Sequence, residues 1–238
     1  MAEGDVSQDQ LELALDPATP PEVIVDLIAH GSIWVRAVAT QNGDLPSEML
    51  ADLAADTDPS MRAGVAGNLN TSPEVLARLA RDPIVAVRRE ASSNLHTPLE
   101  ALQILAQDAD AEVRRGVAEH HSSSARILAT LAQDRDLSVR SGVAANPSTP
   151  PETIDMLVTD PEEGVRWAIA CNPRTAGEIL ARMALDGDEG VRRDVAENPN
   201  TPPEVLAKLV RDPIEPVRRV ALDNPNCPPH IRSLGQVL

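Results

Sequence analysis

The sequence predicts an all-α solenoid of about eight 26-residue units, each built from two short helices. The first observation behind this is a hydrophobic residue followed by Arg, recurring at Val35–Arg36, Met61–Arg62, Val87–Arg88, Val113–Arg114, Val139–Arg140, Val165–Arg166, Val191–Arg192 and Val217–Arg218. Every step is 26 residues with no insertion, and self-similarity at a fixed period is the signature of a repeat architecture. The second is the apolar pattern within a unit. Val75, Leu76, Leu79 and Ala80 form one helical stripe, and Val87 and Ala91 are spaced i to i+4 on a second helix. The third is composition. The chain is 42% hydrophobic but has two Trp and neither Phe nor Tyr, so its core must be Leu, Val, Ile and Ala. Such a core suits a thin stack. Neither helix is long enough to stand alone in water, whereas stacked copies bury the Leu and Val columns continuously.

Residues 71–94, TSPEVLARLARDPIVAVRREASSN, show one unit in order. Thr71 with Glu74 three residues on reads as a capping box, repeated as Thr149–Glu152 and Thr201–Glu204, with Pro73 in the first turn. Asp82–Pro83 stops the first helix, because a residue before Pro is pushed out of the helical region. The second helix ends near Asn94. Later units end in Asn-Pro, at Asn146–Pro147, Asn172–Pro173, Asn198–Pro199 and Asn224–Pro225.

Along the chain, residues 1–9 read as disordered or loosely packed, and 10–238 as a single solenoid with partial capping units at 10–18 and 225–238. Leu11, Leu13 and Ala14 fill half a unit, and Thr19–Glu22 opens the first full one, striped by Val23, Ile24 and Leu27. His30 replaces the expected Asp. The unit at 45–68 keeps its apolar columns and turns most outward positions to acid or Ala. The deepest break is 120–125, HHSSSA, where His120 replaces Asn. Arg232 falls where Leu is expected, which reads as a C-terminal cap.

The net charge of −16 argues against binding the backbone of DNA or RNA. Residues 1–60 hold twelve acids against one Arg, so about −11 of that charge sits in the first quarter. Cys171 and Cys227 occupy different repeat positions and read as free thiols in a reducing cytoplasm. No stretch approaches a membrane span, and the acidic N-terminus lacks the regions of a signal peptide. The expectation is a cytoplasmic monomer with no cofactor, membrane or nucleic acid partner.

The strongest candidate chemistry is the column Arg36, Arg62, Arg88, Arg114, Arg140, Arg166, Arg192 and Arg218. Asp stands six residues earlier at Asp56, Asp82, Asp108, Asp134, Asp160, Asp186 and Asp212. A partly buried charge needs a partner and several hydrogen bonds. Arg has the five-donor fork to join a carboxylate and the carbonyl ends of the adjacent unit. A structural Asp–Arg ladder is expected; an exposed anion-binding Arg stripe is the alternative. The Asn column (Asn42, Asn68, Asn94, Asn146, Asn172, Asn198, Asn224) reads as bonding backbone groups within its own turn. His120 and His121, with His96 one unit earlier, lack the third and fourth ligands a structural zinc site needs. Ser122–Ser124 follow them with no specified orienting carboxylate. There is no glycine-rich phosphate loop, paired-cysteine motif or basic aromatic tract. Trp34 and Trp167 can be surface anchors or fillers between units. Asp44, Glu48 and Asp52 crowd one unit as candidate partner-facing acids, with Glu48 and Asp52 spaced i to i+4.

The unit PP-E-V-L-x-x-L-x-x-D-P-x-x-x-V-R-x-x-V-A-x-N-P resembles the leucine-rich repeat variant family, over about residues 11–230. That resemblance implies a right-handed superhelix whose units pair an α-helix with a short 3₁₀ helix. The family's first described member also carries an N-terminal iron–sulfur module. No cysteine precedes Cys171, so that cofactor is not carried over. The spacing of Asp108 to Arg114 is also similar to HEAT repeats, where these residues form an inter-repeat ladder. Some HEAT-like solenoids are DNA glycosylases, which the acidic balance disfavours; others are tetrapyrrole lyases, for which no catalytic residue is matched. The leading expectation is therefore a non-catalytic scaffold for a protein partner with a basic surface or tail. The alternative is a small enzyme or metal-binding accessory protein with a site near His96, His120 and His121.

Overall fold

The computed structural model of the chain describes residues 3–43 and 45–235, and every regular element among them is an α-helix. They divide at Ser122 into two compact units. The first holds α1 (Glu3–Leu15), α2 (Pro21–His30), α3 (Ile33–Ala39), α4 (Ser47–Leu53), α5 (Pro59–Gly67), α6 (Pro73–Leu79), α7 (Val85–Ser93), α8 (Leu99–Leu105) and α9 (Ala111–Glu119). The second holds α10 (Ala125–Leu131), α11 (Leu137–Ala145), α12 (Pro151–Leu157), α13 (Glu163–Cys171), α14 (Gly177–Met183), α15 (Glu189–Glu197), α16 (Pro203–Leu209), α17 (Glu215–Asp223) and α18 (Pro229–Gly235). Residues 3–9, expected to be loose, belong to α1. Asp44 and residues 236–238 lie outside the described residues. No helix among the described residues is long and apolar enough to cross a membrane.

From α4 onward a seven-residue helix alternates with a nine-residue one. The 3₁₀ helix that the family resemblance implies is absent among the described residues. Its geometry survives in the turn after each seven-residue helix, where Arg81 and Asp82 donate to carbonyls three residues back, Arg78 and Leu79. The seven-residue helix therefore ends at Leu79, before the Asp82–Pro83 stop.

In each unit, consecutive nine-residue helices pack on one another with the shorter helices alongside. Val35, Met61, Val87 and Val113 are fully buried in the first unit, as are Val139, Val165 and Val217 in the second. Leu50, Leu76 and Leu102, and then Leu128, Leu180 and Leu206, line the shorter helices and are equally dry. Small residues set how closely the longer helices approach. A Cβ at Gly64 would meet Thr40 Oγ1 at 1.7 Å, and one at Gly116 would meet Ser92 Oγ at 2.1 Å. Glycine is needed at both places for that closeness, since neither backbone is in the left-handed region.

The Thr column does not cap. In TSPE the N-cap is Ser72, whose hydroxyl accepts from Val75 N, and in TPPE it is Pro150 or Pro202, which have no capping side chain. The capping boxes read at Thr71, Thr149 and Thr201 are thus not formed. Pro takes the first helical position and leaves Thr one residue too early. Its hydroxyl turns back instead to the end of the preceding helix. Thr71 donates to Val65 O at 2.6 Å, Thr149 to Val143 O at 2.6 Å and Thr201 to Val195 O at 2.5 Å.

The Asn column reaches further than its own turn. Asn94 Oδ1 accepts from His96 N, as expected of a turn, but its Nδ2 donates to Ala66 O at 2.7 Å and Asn68 O at 2.9 Å in the previous repeat. Asn198 does the same to Ala170 O and Asn172 O, at 2.7 and 3.0 Å. Each amide thus reaches a helix-end carbonyl, Ala66 O or Ala170 O, and adds a second donor to Asn68 O or Asn172 O, which already accept from Thr71 N and Thr175 N. Asn198→Ala should destabilise the chain by about 1–3 kcal/mol, because in a buried place Ala170 O loses the amide donor and Asn172 O keeps only Thr175 N. Asn198→Asp should cost more, since it turns a carboxylate on them; a denaturant midpoint unchanged in both variants would contradict this account.

Candidate functional site

The Arg and Asp columns form one fork, repeated. In Arg140, Nε donates to Asp160 Oδ2 at 2.7 Å and Nη2 to Asp160 Oδ1 at 3.0 Å, while Nη1 donates to Asp134 O at 2.8 Å. Arg62 holds Asp82 and Asp56 O, Arg88 holds Asp108 and Asp82 O, Arg166 holds Asp186 and Asp160 O, and Arg192 holds Asp212 and Asp186 O in the same way. The Asp six residues before each Arg therefore gives it a backbone carbonyl. The carboxylate comes from the following repeat, twenty residues on. Its Oδ1 also accepts a backbone N–H two residues later, as Asp160 does from Glu162. The ends of the columns differ. Arg36 makes a single 3.2 Å contact with Asp56 and turns Nε to Ile28 O. Arg218, the last of the column, gives Nη1 to Asp212 O and Pro213 O, while Arg114 in mid-column keeps the common Nη1 bond to Asp108 O.

These pairs are little exposed; the side chains of Arg140 and Asp160 keep 13% and 6% of their surface. Burial pushes the Asp160 carboxyl up, but the Arg140 fork and the Glu162 N–H outweigh it and hold it below the usual carboxylate range. Asp82, Asp108 and Asp186 follow suit, and at Asp212 the Arg192 fork is itself the largest influence. With every donor of the fork directed at protein oxygen, little is left to hold a bound anion.

His120 occupies an Asn position and copies its bonding. Nε2 lies 2.9 Å from Asn94 O, and Ser122 N donates to Nδ1 at 3.1 Å. That pattern requires a neutral ring protonated on Nε2. Burial, with His121 stacked at 4.8 Å, pushes its pKa down against the Asn94 bond. His96 belongs to another column that was not read from the sequence. Its Nδ1 sits 2.7 Å from Leu69 O, just as Asn200 Nδ2 donates to Pro173 O at 2.7 Å and Asn226 Nδ2 to Pro199 O at 2.6 Å. The signal was the recurrence of Asn two residues after the column Asn, at Asn70, Asn200 and Asn226. Among the described residues no three His, Cys, Asp or Glu side chains converge as metal ligands. Cys171 is an exposed residue, but neighbouring protein shields its thiol from water and Asp194 lies beside it, which pushes it up to about 11, so it stays protonated at neutral pH.

What remains outward is different in kind. Trp34 is 75% exposed and Trp167 50% exposed, so neither fills a gap between helices. Glu22, Asp26, Glu48 and Asp52 are exposed on α2 and α4. Asp58, in the same stretch, instead caps α5 by accepting from Ser60 N at 2.9 Å.

This architecture defines an all-α repeat protein. The profile of the leucine-rich repeat variant family matches residues 138–162 and 189–214. A solved structure described as a leucine-rich repeat variant with a novel repetitive motif is 30% identical, with a TM-score of 0.60, covering 84% of this chain and 80% of its own. The chain belongs to the leucine-rich repeat variant family. An engineered protein is 19% identical, with TM-score 0.42 and coverage of 92% and 82%. The Escherichia coli protein YibA is 16% identical, with TM-score 0.49 and coverage of 94% and 86%. Both superpose too weakly to bear on this chain. No curated protein matches it.

Two outcomes follow from the columns. Arg140→Ala leaves the buried Asp160 carboxylate without its fork and should cost about 2–4 kcal/mol in a denaturant melt, against less than about 1 kcal/mol for an exposed pair. His120, whose pKa is lowered on folding, gives stability that is complete above its unfolded value near 6.5 and is lost as pH falls. His120→Asn should therefore flatten the dependence of melting temperature on pH between about 7 and 5; an unaltered slope would contradict the assignment.

Proposed function

We propose that this chain is a non-catalytic repeat scaffold of the cytoplasm, acting as a monomer, whose acidic surface engages a protein partner through a basic surface or tail. The observation that carries this reading is the division of its polar residues. The recurring Arg, Asp, Asn and Thr are turned inward onto backbone carbonyls and one another. The charges left outward at the N-terminal end include Glu22, Asp26, Glu48 and Asp52, with Asp44 adding to them in sequence. Glu48 and Asp52 lie on the outward side of α4, where like charges at i and i+4 repel by a few tenths of a kcal/mol. Core packing does not require them. Trp34, with Ile33 beside it also exposed, supplies an apolar anchor at the same end. Both His96 and His120 have their bonds to backbone accounted for by the columns, and no other observation favours a catalytic or metal site there.

The test replaces Asp44, Glu48 and Asp52 by Ser or Gln and follows association with a protein that co-purifies from the host. Association should slow and its salt dependence weaken, while melting temperature stays unchanged. Unchanged association and salt dependence would remove the N-terminal end as the binding face.

A further inference from the structure

We infer that the exposed face of the nine-residue helices in the second unit, centred on Trp167, is a docking surface for an extended segment of a protein partner carrying Lys or Arg at every third residue. This rests on the reading of the chain as a protein-binding scaffold and names the partner chemistry at a second place on it.

Trp167 is the one aromatic side chain of residues 123–238 and stands half-exposed on α13. Glu163 lies one turn before it, at i−4, so the two share a face of the helix. The register of Glu163 repeats as Glu189 on α15 and Glu215 on α17, and all three carboxylates are exposed. Among the described residues none of them is in an ion pair. Glu163 and Glu189 only add to the field on the neighbouring Arg166 and Arg192. The ladder Arg residues are already held by Asp186 and Asp212; Arg193 and Arg219 stand one turn beyond Glu189 and Glu215, Arg193 paired with Asp194, whereas Glu163 has Trp167 at that place and no cation.

Packed helices lie about 8–10 Å apart, and an extended segment in the polyproline II conformation turns once every three residues at about 3.1 Å each, so its every third side chain falls on one face. A row with one carboxylate per repeat therefore meets every third residue of a peptide laid across the helices. A cation at the Glu163 end would rest over the Trp167 indole, where a desolvated ring face and a carboxylate attract it together. The row begins one repeat earlier with Leu137, 49% exposed, which offers the same peptide an apolar contact before the first cation.

The register of Trp167 carries Arg193 on α15 and Arg219 on α17, so Trp167→Arg keeps a residue this fold already accommodates while reversing what a cation meets. The probe is a fluorescein-labelled peptide with Arg at every third position, separated by Ala and Ser, titrated into the full chain at low salt and followed by anisotropy. Saturable binding is expected, weakened roughly tenfold or more by Trp167→Arg and by Glu163→Gln with Glu189→Gln. Grouping the same Arg residues at one end of the peptide should also weaken it. Trp34→Ala should change nothing, and melting temperatures should hold. Absence of saturable binding, or binding that Trp167→Arg leaves intact, overturns the inference. Binding lost instead with Glu48→Gln and Asp52→Gln also overturns it, while keeping the scaffold reading and placing the basic segment at the N-terminal end.

Discussion

The structure depends on how carbonyl groups at the ends of very short helices are satisfied. A helix leaves its first four N–H and last four C=O groups without internal partners. In helices of seven and nine residues that is most of the backbone at one end or the other. Stacking buries those ends, and an unpaired buried carbonyl costs about 1–3 kcal/mol. The chain meets this with side chains placed once per repeat. Asn donates to two carbonyls of the previous repeat, Thr to the end of the helix before it, and Arg to the carbonyl of an Asp. Apolar columns bring the helices together, and the polar columns make that burial tolerable. Neither works without the other.

The ion-pair fork adds direction to this. Arg62, Arg88, Arg140, Arg166 and Arg192 each take a carbonyl from their own repeat and a carboxylate from the next. One side chain thereby fixes the spacing between two turns of the chain. The Asp is fixed in return, by the fork and by the N–H two residues after it. A Lys could supply charge here but not three donors in a plane to three fixed oxygens. The chain has a single lysine, Lys208, and it lies outside the column.

Much of this was legible in sequence, for a physical reason: periodicity reports burial. The Val and Leu columns, the helix pairs and the existence of the Arg, Asp and Asn columns were all readable at 26-residue spacing. Direction was not. Asp six residues before Arg and Asp twenty residues after it are the same column seen from either side, so the sequence does not say which carboxylate the guanidinium takes. Thr71 misled for a related reason. Its spacing to Glu74 fits a capping box, but Pro73 moves the helix start by one residue and sends the hydroxyl backward. His120 looked like an irregularity because its residue type changed, although the bonds at its position did not.

The same logic separates structure from function on the surface. Eight column Arg residues face seven column Asp residues, which leaves the ladder near +1, so the rest of the chain carries about −17 of the net −16. Some of that charge also serves the fold, as where Arg89 forks onto Asp110 of the next repeat and Asp58 caps α5, but among the described residues exposed acids such as Asp52 bond to nothing that joins repeats. A solenoid whose interior is electrically balanced is free to vary its outward field without cost to the fold. Selection can then act on residues such as Trp34, Asp52 or Trp167 one at a time. The places where the repeat stops repeating are therefore where recognition has room to be written, and a fold this regular makes those places countable.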